Sequence, residues 1–256
     1  EHTTEQGAAV SETPRDALPA TTGGSDTDAA AAAALVIFAR EGFARTTLTA
    51  VAEESGVSTR MLHYHFGDKP GLYRAAMARA VTLLIPPQEV LNRSYTVPVE
   101  GMRRFVDAIF HRFLQNPAAA RLIVRENLEP ALEKGVGLEI EEVSEVILHI
   151  ERLLLLGQDS GAFRPGISAD DILVMVCSLC MYRESNSEIA QRITRVDLRT
   201  QRNIEGLRRM AIDTVLAFLT SNIPGSGYGS YVEPDAVPVE APASSGEIYD
   251  VDSGIY

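Results

Sequence analysis

The sequence predicts an all-α fold in two parts, a small N-terminal unit of three helices and a larger helical domain behind it. Three observations carry this. From residue 29 to 222 almost every stretch reads as helix, and no alternating apolar pattern of strand length appears. The stretches are separated by strong stops: Gly42, Gly56, Gly67, Pro86-Pro87, Asn116-Pro117, Gly135 with Gly137, SGAFRPGIS and RVDLRTQ. Several of them begin on Asp, Thr or Ser, whose side-chain oxygen accepts from the free N–H groups of a helix's first turn.

The ends stand apart from this body. Residues 1–28 and 223–256 are rich in small, polar and acidic residues and have too little apolar surface to offset the entropy of ordering, so both read as disordered extensions. The first holds six acids against one base and the second, from 221, six acids and no base, so nearly all of the net charge of −12 belongs to the ends. Residues 29–86 hold six Lys/Arg against four Asp/Glu, so the first folded unit is mildly basic. No run of about 18 apolar residues offers a membrane span, and the first residues lack the basic start and apolar block of a signal peptide. The expected setting is the cytoplasm, with no membrane partner.

The first helix, DAAAAAALVIFAREG, is expected to start on Asp28 and stop at Gly42. The second, TTLTAVAEESG, has Thr47 as its cap, Leu48, Val51 and Ala52 on one face, and Gly56 as its stop. The third, STRMLHYHFG, starts on Ser58 and ends at Gly67. A fourth, 68–85, has Asp68 as cap and Pro70 in its first turn. Longer helices follow at roughly 98–115, 117–134, 138–161, 168–185 and 200–221.

Helices two and three, joined through Glu54-Ser55-Gly56-Val57, make a helix-turn-helix; Gly56 supplies the left-handed backbone that so tight a turn needs. Leu62 and Phe66 hold the third helix down, which leaves Thr59, Arg60, His63 and Tyr64 facing outward. That set suits a DNA major groove. Arg60 matches guanine O6/N7 or a phosphate, and Thr59 a base edge or thymine methyl. Tyr64 and His65 lie at the far end and suit phosphate oxygens. Thr47 and Ser58 stand at helix N-termini, where backbone N–H groups and the dipole favour phosphate, and Lys69 adds a cation at the start of the next helix.

From Phe38 to Tyr73 the chain resembles the tetracycline-repressor (TetR) family of bacterial regulators. The matching residues are Phe38-Ala39, Gly42-Phe43, Thr46-Thr47, Val51-Ala52, Gly56-Val57-Ser58, Leu62, Tyr64-His65-Phe66, Lys69 and Leu72-Tyr73. The resemblance implies a helix-turn-helix DNA-binding domain over 29–75 and a ligand-binding and dimerising domain over 76–222. It also implies a homodimer on a roughly palindromic double-stranded DNA operator, with repression relieved by a small molecule. The sequence departs from the family at GGSDTDAAAAAA, acidic where members carry basic residues before the first helix, and at Pro70-Gly71.

Leu153 to Asn186 resembles the branch that includes the pyrimidine-utilisation regulator RutR, through the turn Gly161-Ala162-Phe163-Arg164-Pro165-Gly166. A ligand pocket is expected among helices 98–115, 117–134, 138–161 and 168–185. Phe105 and Ile109 lie on one apolar face, and Arg125, His149, Tyr182 and Asn186 are the polar groups set among apolar neighbours that a ligand needs. For dimerisation, Leu207, Met210, Ala211, Thr214 and Phe218 form a stripe at three- and four-residue spacing.

Cys177 and Cys180 form one Cys-x-x-Cys pair where a four-thiolate zinc site needs two, so no metal is expected and the pair reads as buried small residues. Neither His-Glu-x-x-His, Gly-x-Ser-x-Gly nor a phosphate-cradling Gly-rich loop occurs, and no cofactor or enzymatic activity is expected. The competing reading is a protein of the same fold that has lost sequence-specific DNA binding and acts through protein partners engaged by its acidic ends.

Overall fold

The computed structural model describes residues 23–133, 137–138, 140–224 and 229–233. Among them every regular element is an α-helix. The N-terminal unit is α1 (Gly23–Glu41), α2 (Leu48–Ser55) and α3 (Thr59–Phe66), and α4 (Lys69–Leu84) leads out of it. The larger domain follows with α5 (Gln88–Leu91), α6 (Pro98–Gln115), α7 (Pro117–Leu128), α8 (Glu141–Asp159), α9 (Ala169–Thr194) and α10 (Gln201–Thr220).

The first helix starts five residues before the expected Asp28, so Asp28 lies inside α1 and does not cap it. The alanine run is a strong helix former, and Asp26 in the first turn complements the helix dipole. The boundary at residue 28 is therefore corrected, while the remainder of that extension, residues 1–22, lies outside the described residues. The alanines have a packing role as well. Ala30, Ala34 and Phe38 are fully buried where α1 runs against α4 and α7.

α4 is the long connection between the two parts. Asp68 caps it, accepting from the Gly71 N–H at 2.7 Å, and Pro86-Pro87 follows its last turn. At its start Tyr73 packs edge-on to Phe38 and Phe43, with ring centroids 4.9 and 5.1 Å apart. Its later turns, through Ala76, Met77, Ala80 and Leu84, are buried in the larger domain's core.

Further boundaries and one element differ from the sequence reading. α5 is a single turn that the pattern did not show. α7 stops at Leu128 and not at 134, because Pro130 has no N–H to continue the ladder. The Glu126 carboxylate also accepts from the N–H groups of Ala131 and Leu132, turning the chain away. α8 begins at Glu141 and not at 138. α9 runs nine residues past 185, since no Gly or Pro interrupts 186–194; it ends where Arg195 takes a left-handed backbone, φ +58°.

α10 lies along α6, and its apolar stripe is split between two duties. Ala211 is buried and Leu207 and Phe218 are half-buried within the chain, whereas Met210 and Thr214 remain exposed. Arg208 ties the two helices together, pairing with Glu205 at 2.9 Å and with Asp107 at 2.5 Å. The expected stripe is thus mainly an internal seam. The tail reading is also corrected in part: Tyr231 and Val232 donate their N–H groups to Asp171 of α9. Residues 234–256 lie outside the described residues.

Candidate nucleic-acid interface and ligand cavity

The helix-turn-helix is held by its own caps. Thr47 Oγ1 accepts from the Ala50 N–H at 3.2 Å, and Ser58 Oγ accepts from the Met61 N–H at 3.3 Å. Between them Gly56 has φ +72°, and Ser55 Oγ donates to the Val51 carbonyl while accepting from the Val57 N–H. Val51, Val57 and Leu62 fill the wedge between α2 and α3 and are buried. Each cap satisfies an N–H that an α-helix leaves open, which is why two eight-residue helices hold this shape.

α3 then shows its polar face to solvent. Arg60, His63 and Tyr64 are exposed, Tyr64 at 79%, and Thr59 is half-buried at the first position. Among the described residues neither the Arg60 guanidinium nor the Tyr64 hydroxyl has a partner. His63 Nδ1 lies 2.8 Å from the Gly67 carbonyl oxygen, which can only accept, so that nitrogen carries the proton and Nε2 is left for another group. Eight residues span about 12 Å of helix, comparable with the width of a B-DNA major groove.

His65 and Lys69 are placed differently from these. His65 packs edge-on between Tyr64 and Phe66, and its Nε2 is shut from solvent without a partner. The Lys69 ammonium donates to the Ala44 carbonyl at 3.2 Å and lies 4.5 Å above the Phe43 ring, and burial holds its pKa below the ordinary lysine value. It closes the turn between α1 and α2.

The larger domain holds a partly open apolar cavity of about 190 Å³. The end of α4 forms one wall through Val81, Leu84, Ile85 and Pro86. Ile109 and Phe113 of α6 and Ile123 of α7 form another, and Val146 of α8 with Leu173 and Cys177 of α9 close it. Burial pushes the Cys177 thiol up to about 11 and, together with its neighbour's charge, Cys180 up to about 12, so both stay protonated and unreactive at neutral pH.

Two family models match this chain and together cover more than half of it. Residues 31–76 match the family described as bacterial regulatory proteins, tetR family, and residues 98–215 match the tetracyclin repressor-like C-terminal domain. The chain belongs to the TetR family of DNA-binding transcriptional regulators. Among curated relatives, the HTH-type transcriptional repressor NicS of Pseudomonas putida is 24% identical over 167 residues, 65% of this chain and 79% of that protein. The HTH-type transcriptional activator FasR of Mycolicibacterium smegmatis is 26% identical over 132 residues, 50% of this chain and 58% of its own length. The fold is also that of a solved structure described as a transcriptional regulator, SCO4942 of Streptomyces coelicolor. Its TM-score is 0.56 at 21% identity, covering 75% of this chain and 97% of that one.

Of the six ligand positions expected in the regulator, the cavity wall contains Ile109 alone. Phe105 is fully buried one turn away, its ring centroid 5.6 Å from that of His149. His149 belongs to a second hollow with Tyr95 and Arg152. Burial holds its pKa below the usual histidine value, and its Nδ1 meets the Leu91 carbonyl at 2.8 Å. Tyr182 and Asn186 face an open surface hollow on α9. Arg125 is engaged elsewhere, with the carbonyls of Ala39 and Arg40 at the end of α1.

The groups that sequence reasoning missed are apolar wall residues and a polar pair beside them. Ile123 faces the cavity, and one turn later Glu126 accepts from the Tyr73 hydroxyl at 2.8 Å. The cavity wall has almost no polar side chain among its described residues, so polar groups set among apolar helices do not mark it. The i, i+4 pair Ile109 and Phe113 was the one signal that pointed to it.

Proposed function

We propose that this TetR-family regulator is a homodimeric repressor working in the cytoplasm. It grips a roughly palindromic double-stranded operator with α3 and leaves it when a small molecule enters the larger domain. The observation that carries this reading is the exposed outer face of α3, where Arg60, His63 and Tyr64 stand in solvent on a helix capped and packed for rigidity. In this reading Arg60 and Thr59 meet base edges, while Tyr64, Thr47 and Ser58 meet the phosphates that flank them. His65 and Lys69 keep α3 and the α1–α2 turn in place. The named function of NicS supports repression as the direction of control.

A second copy fits α9 best. Val174, Tyr182, Ile189 and Ile193 recur there at spacings of eight, seven and four residues and are about half-exposed or more, as is Met210 of α10. A two-fold pair of chains sets two α3 helices about one DNA turn apart. A ligand acts if it favours one spacing of those helices over another, which requires different affinities for the two states.

Nuclease footprinting on the DNA upstream of the regulator's own gene tests the proposal. The expected result is one protected site with two half-sites centred about 10 base pairs, or a multiple of it, apart. Protection of a single half-site would remove the dimer from the account. No protection on that DNA at low salt would remove the operator.

A further inference from the structure

The cavity behind α4 is bounded by both elements that reach back into the DNA-binding unit. The end of α4 contributes Leu84 and Ile85, while the start of the same helix carries Lys69 and Tyr73. α7 contributes Ile123, and the residues next to it hold the first unit directly, Arg125 by the α1 carbonyls and Glu126 by the Tyr73 hydroxyl. A molecule that fills the cavity therefore presses on two levers at once.

What fills it follows from what the wall lacks. Among the described residues neither a charged side chain nor an amide or hydroxyl lines it, and the titratable group among them, the Cys177 thiol, is held neutral by burial. A carboxylate, phosphate or ammonium seated against this wall would lose its water and gain no partner among the lining side chains, which disfavours it strongly. An apolar molecule that fills this space of about 190 Å³ covers apolar wall otherwise left to water, which is favourable. An engineered dry cavity of about 150 Å³ in another protein accepts benzene. This one has room for slightly more.

We propose that the regulator's effector is a neutral, wholly apolar molecule about the size of a one-ring alkylbenzene, seated between Leu84, Ile109, Ile123 and Cys177. The inference deepens the reading of this domain as the ligand-responsive part and rests on it. Occupancy is transmitted through α4 and α7 to α1 and α3.

The test is calorimetric titration of the full chain with toluene and with benzoate, which share a ring and differ in a methyl against a carboxylate. Toluene is expected to bind one per chain, and benzoate at least about a hundredfold more weakly. Cys177→Phe, which fills the cavity, should weaken toluene at least about tenfold. Val146→Leu fills less and should weaken it by a smaller factor; it serves if the larger side chain unfolds the domain by circular dichroism. Benzoate binding as well as toluene, no toluene binding to the folded wild type, or full binding in both filled variants would each overturn the proposal. Operator affinity measured on the same samples separates the two readings. Toluene that binds yet leaves operator affinity unchanged keeps the ligand class and overturns the transmission. Loss of operator binding without any ligand present would count against the regulator reading and not against the cavity's chemistry.

Discussion

Arg125 of α7 donates from Nε to the carbonyl oxygen of Ala39 at 2.9 Å and from Nη2 to that of Arg40 at 3.0 Å. These carbonyls belong to the last turn of α1, where the C=O groups find no N–H donors within the helix and a cation is favourable. One planar guanidinium thus joins the ligand-side helix to the scaffold of the DNA-binding unit. Arg125→Ala is expected to cost about 1–2 kcal/mol, a fall in thermal midpoint of about 2–8 °C for a domain of this size. Arg125→Lys should recover little, since an ammonium cannot span both carbonyls in a fixed fork. Differential scanning calorimetry of the two variants checks this; a midpoint unmoved in Arg125→Ala would show that the bridge is incidental.

Tyr73 supplies the second link, and it carries a pH signature. Burial, and then its hydrogen bond to the Glu126 carboxylate, push the phenol well above the ordinary tyrosine range. The folded value lies above the unfolded one of about 10. The stabilisation is therefore complete below about pH 10 and is lost as the pH rises further, because the unfolded chain gives up the proton first. Urea denaturation between about pH 8 and 11 should show wild-type stability falling at the alkaline end, with a smaller fall in Tyr73→Phe. At neutral pH the same variant should cost only about 0.5–1.5 kcal/mol, since Glu126 still accepts from Ala131 and Leu132. Parallel alkaline slopes would contradict the assignment.

Gly157 is a glycine inside α8, where helix propensity alone favours alanine by about 1 kcal/mol. A Cβ there would lie 1.9 Å from Cδ2 of Phe163, whose ring is buried against the helix. The ring cannot drift, because the N–H groups of Ala162 and Phe163 both donate to the Gly157 carbonyl, at 2.8 and 2.9 Å. Gly157→Ala is therefore expected to destabilise by about 1–3 kcal/mol despite the better propensity. Adding Phe163→Leu should return part of the loss. A denaturant midpoint equal to or above wild type in the single variant would contradict the packing.

Asp171 holds the start of α9 and a short piece of the tail together. Its carboxylate accepts from Ser168 N–H at 2.9 Å, completing a capping box, and from the N–H groups of Tyr231 and Val232 at 2.9 and 2.8 Å. Burial raises its pKa, but these backbone donors outweigh it and hold the carboxyl below its usual value. The anchor is thus present above the ordinary aspartate range and is released as the pH falls through the lowered value. In Asp171→Ala the amides of Tyr231 and Val232 should exchange hydrogen at least about tenfold faster, with a stability loss of about 1–3 kcal/mol. Unchanged exchange at those two amides would show that Arg164, which donates to the Tyr231 hydroxyl, holds the segment alone.

The parts legible in the sequence were those with punctuation at both ends. Pro98 and Asn116-Pro117 bracket α6, and the expected span and the observed Pro98–Gln115 coincide. Thr47, Gly56, Ser58, Gly67 and Asp68 cap or stop their helices as read, because each acts through its own nearest backbone. The end of α9 was missed where no breaker marks it. The partners of Arg125 and Lys69 were not legible for a related reason. A cation reads as free until the fold shows which carbonyls it meets, and here those are 86 and 25 residues away in sequence. The cavity was hidden because its wall residues look like any core.

In the proposed function α3 is the element that reads DNA. Fluorescence anisotropy of the full chain on its own upstream DNA, over a salt series and beside an Arg60→Ala, Tyr64→Ala double variant, tests it most directly. Both side chains are exposed, so the variant should keep the wild-type thermal midpoint within about 1–2 °C. Wild type is expected to bind one site tightly, weakening steeply with salt, and the folded variant to lose at least about a hundredfold. Equal affinity of wild type and variant on that site would contradict it.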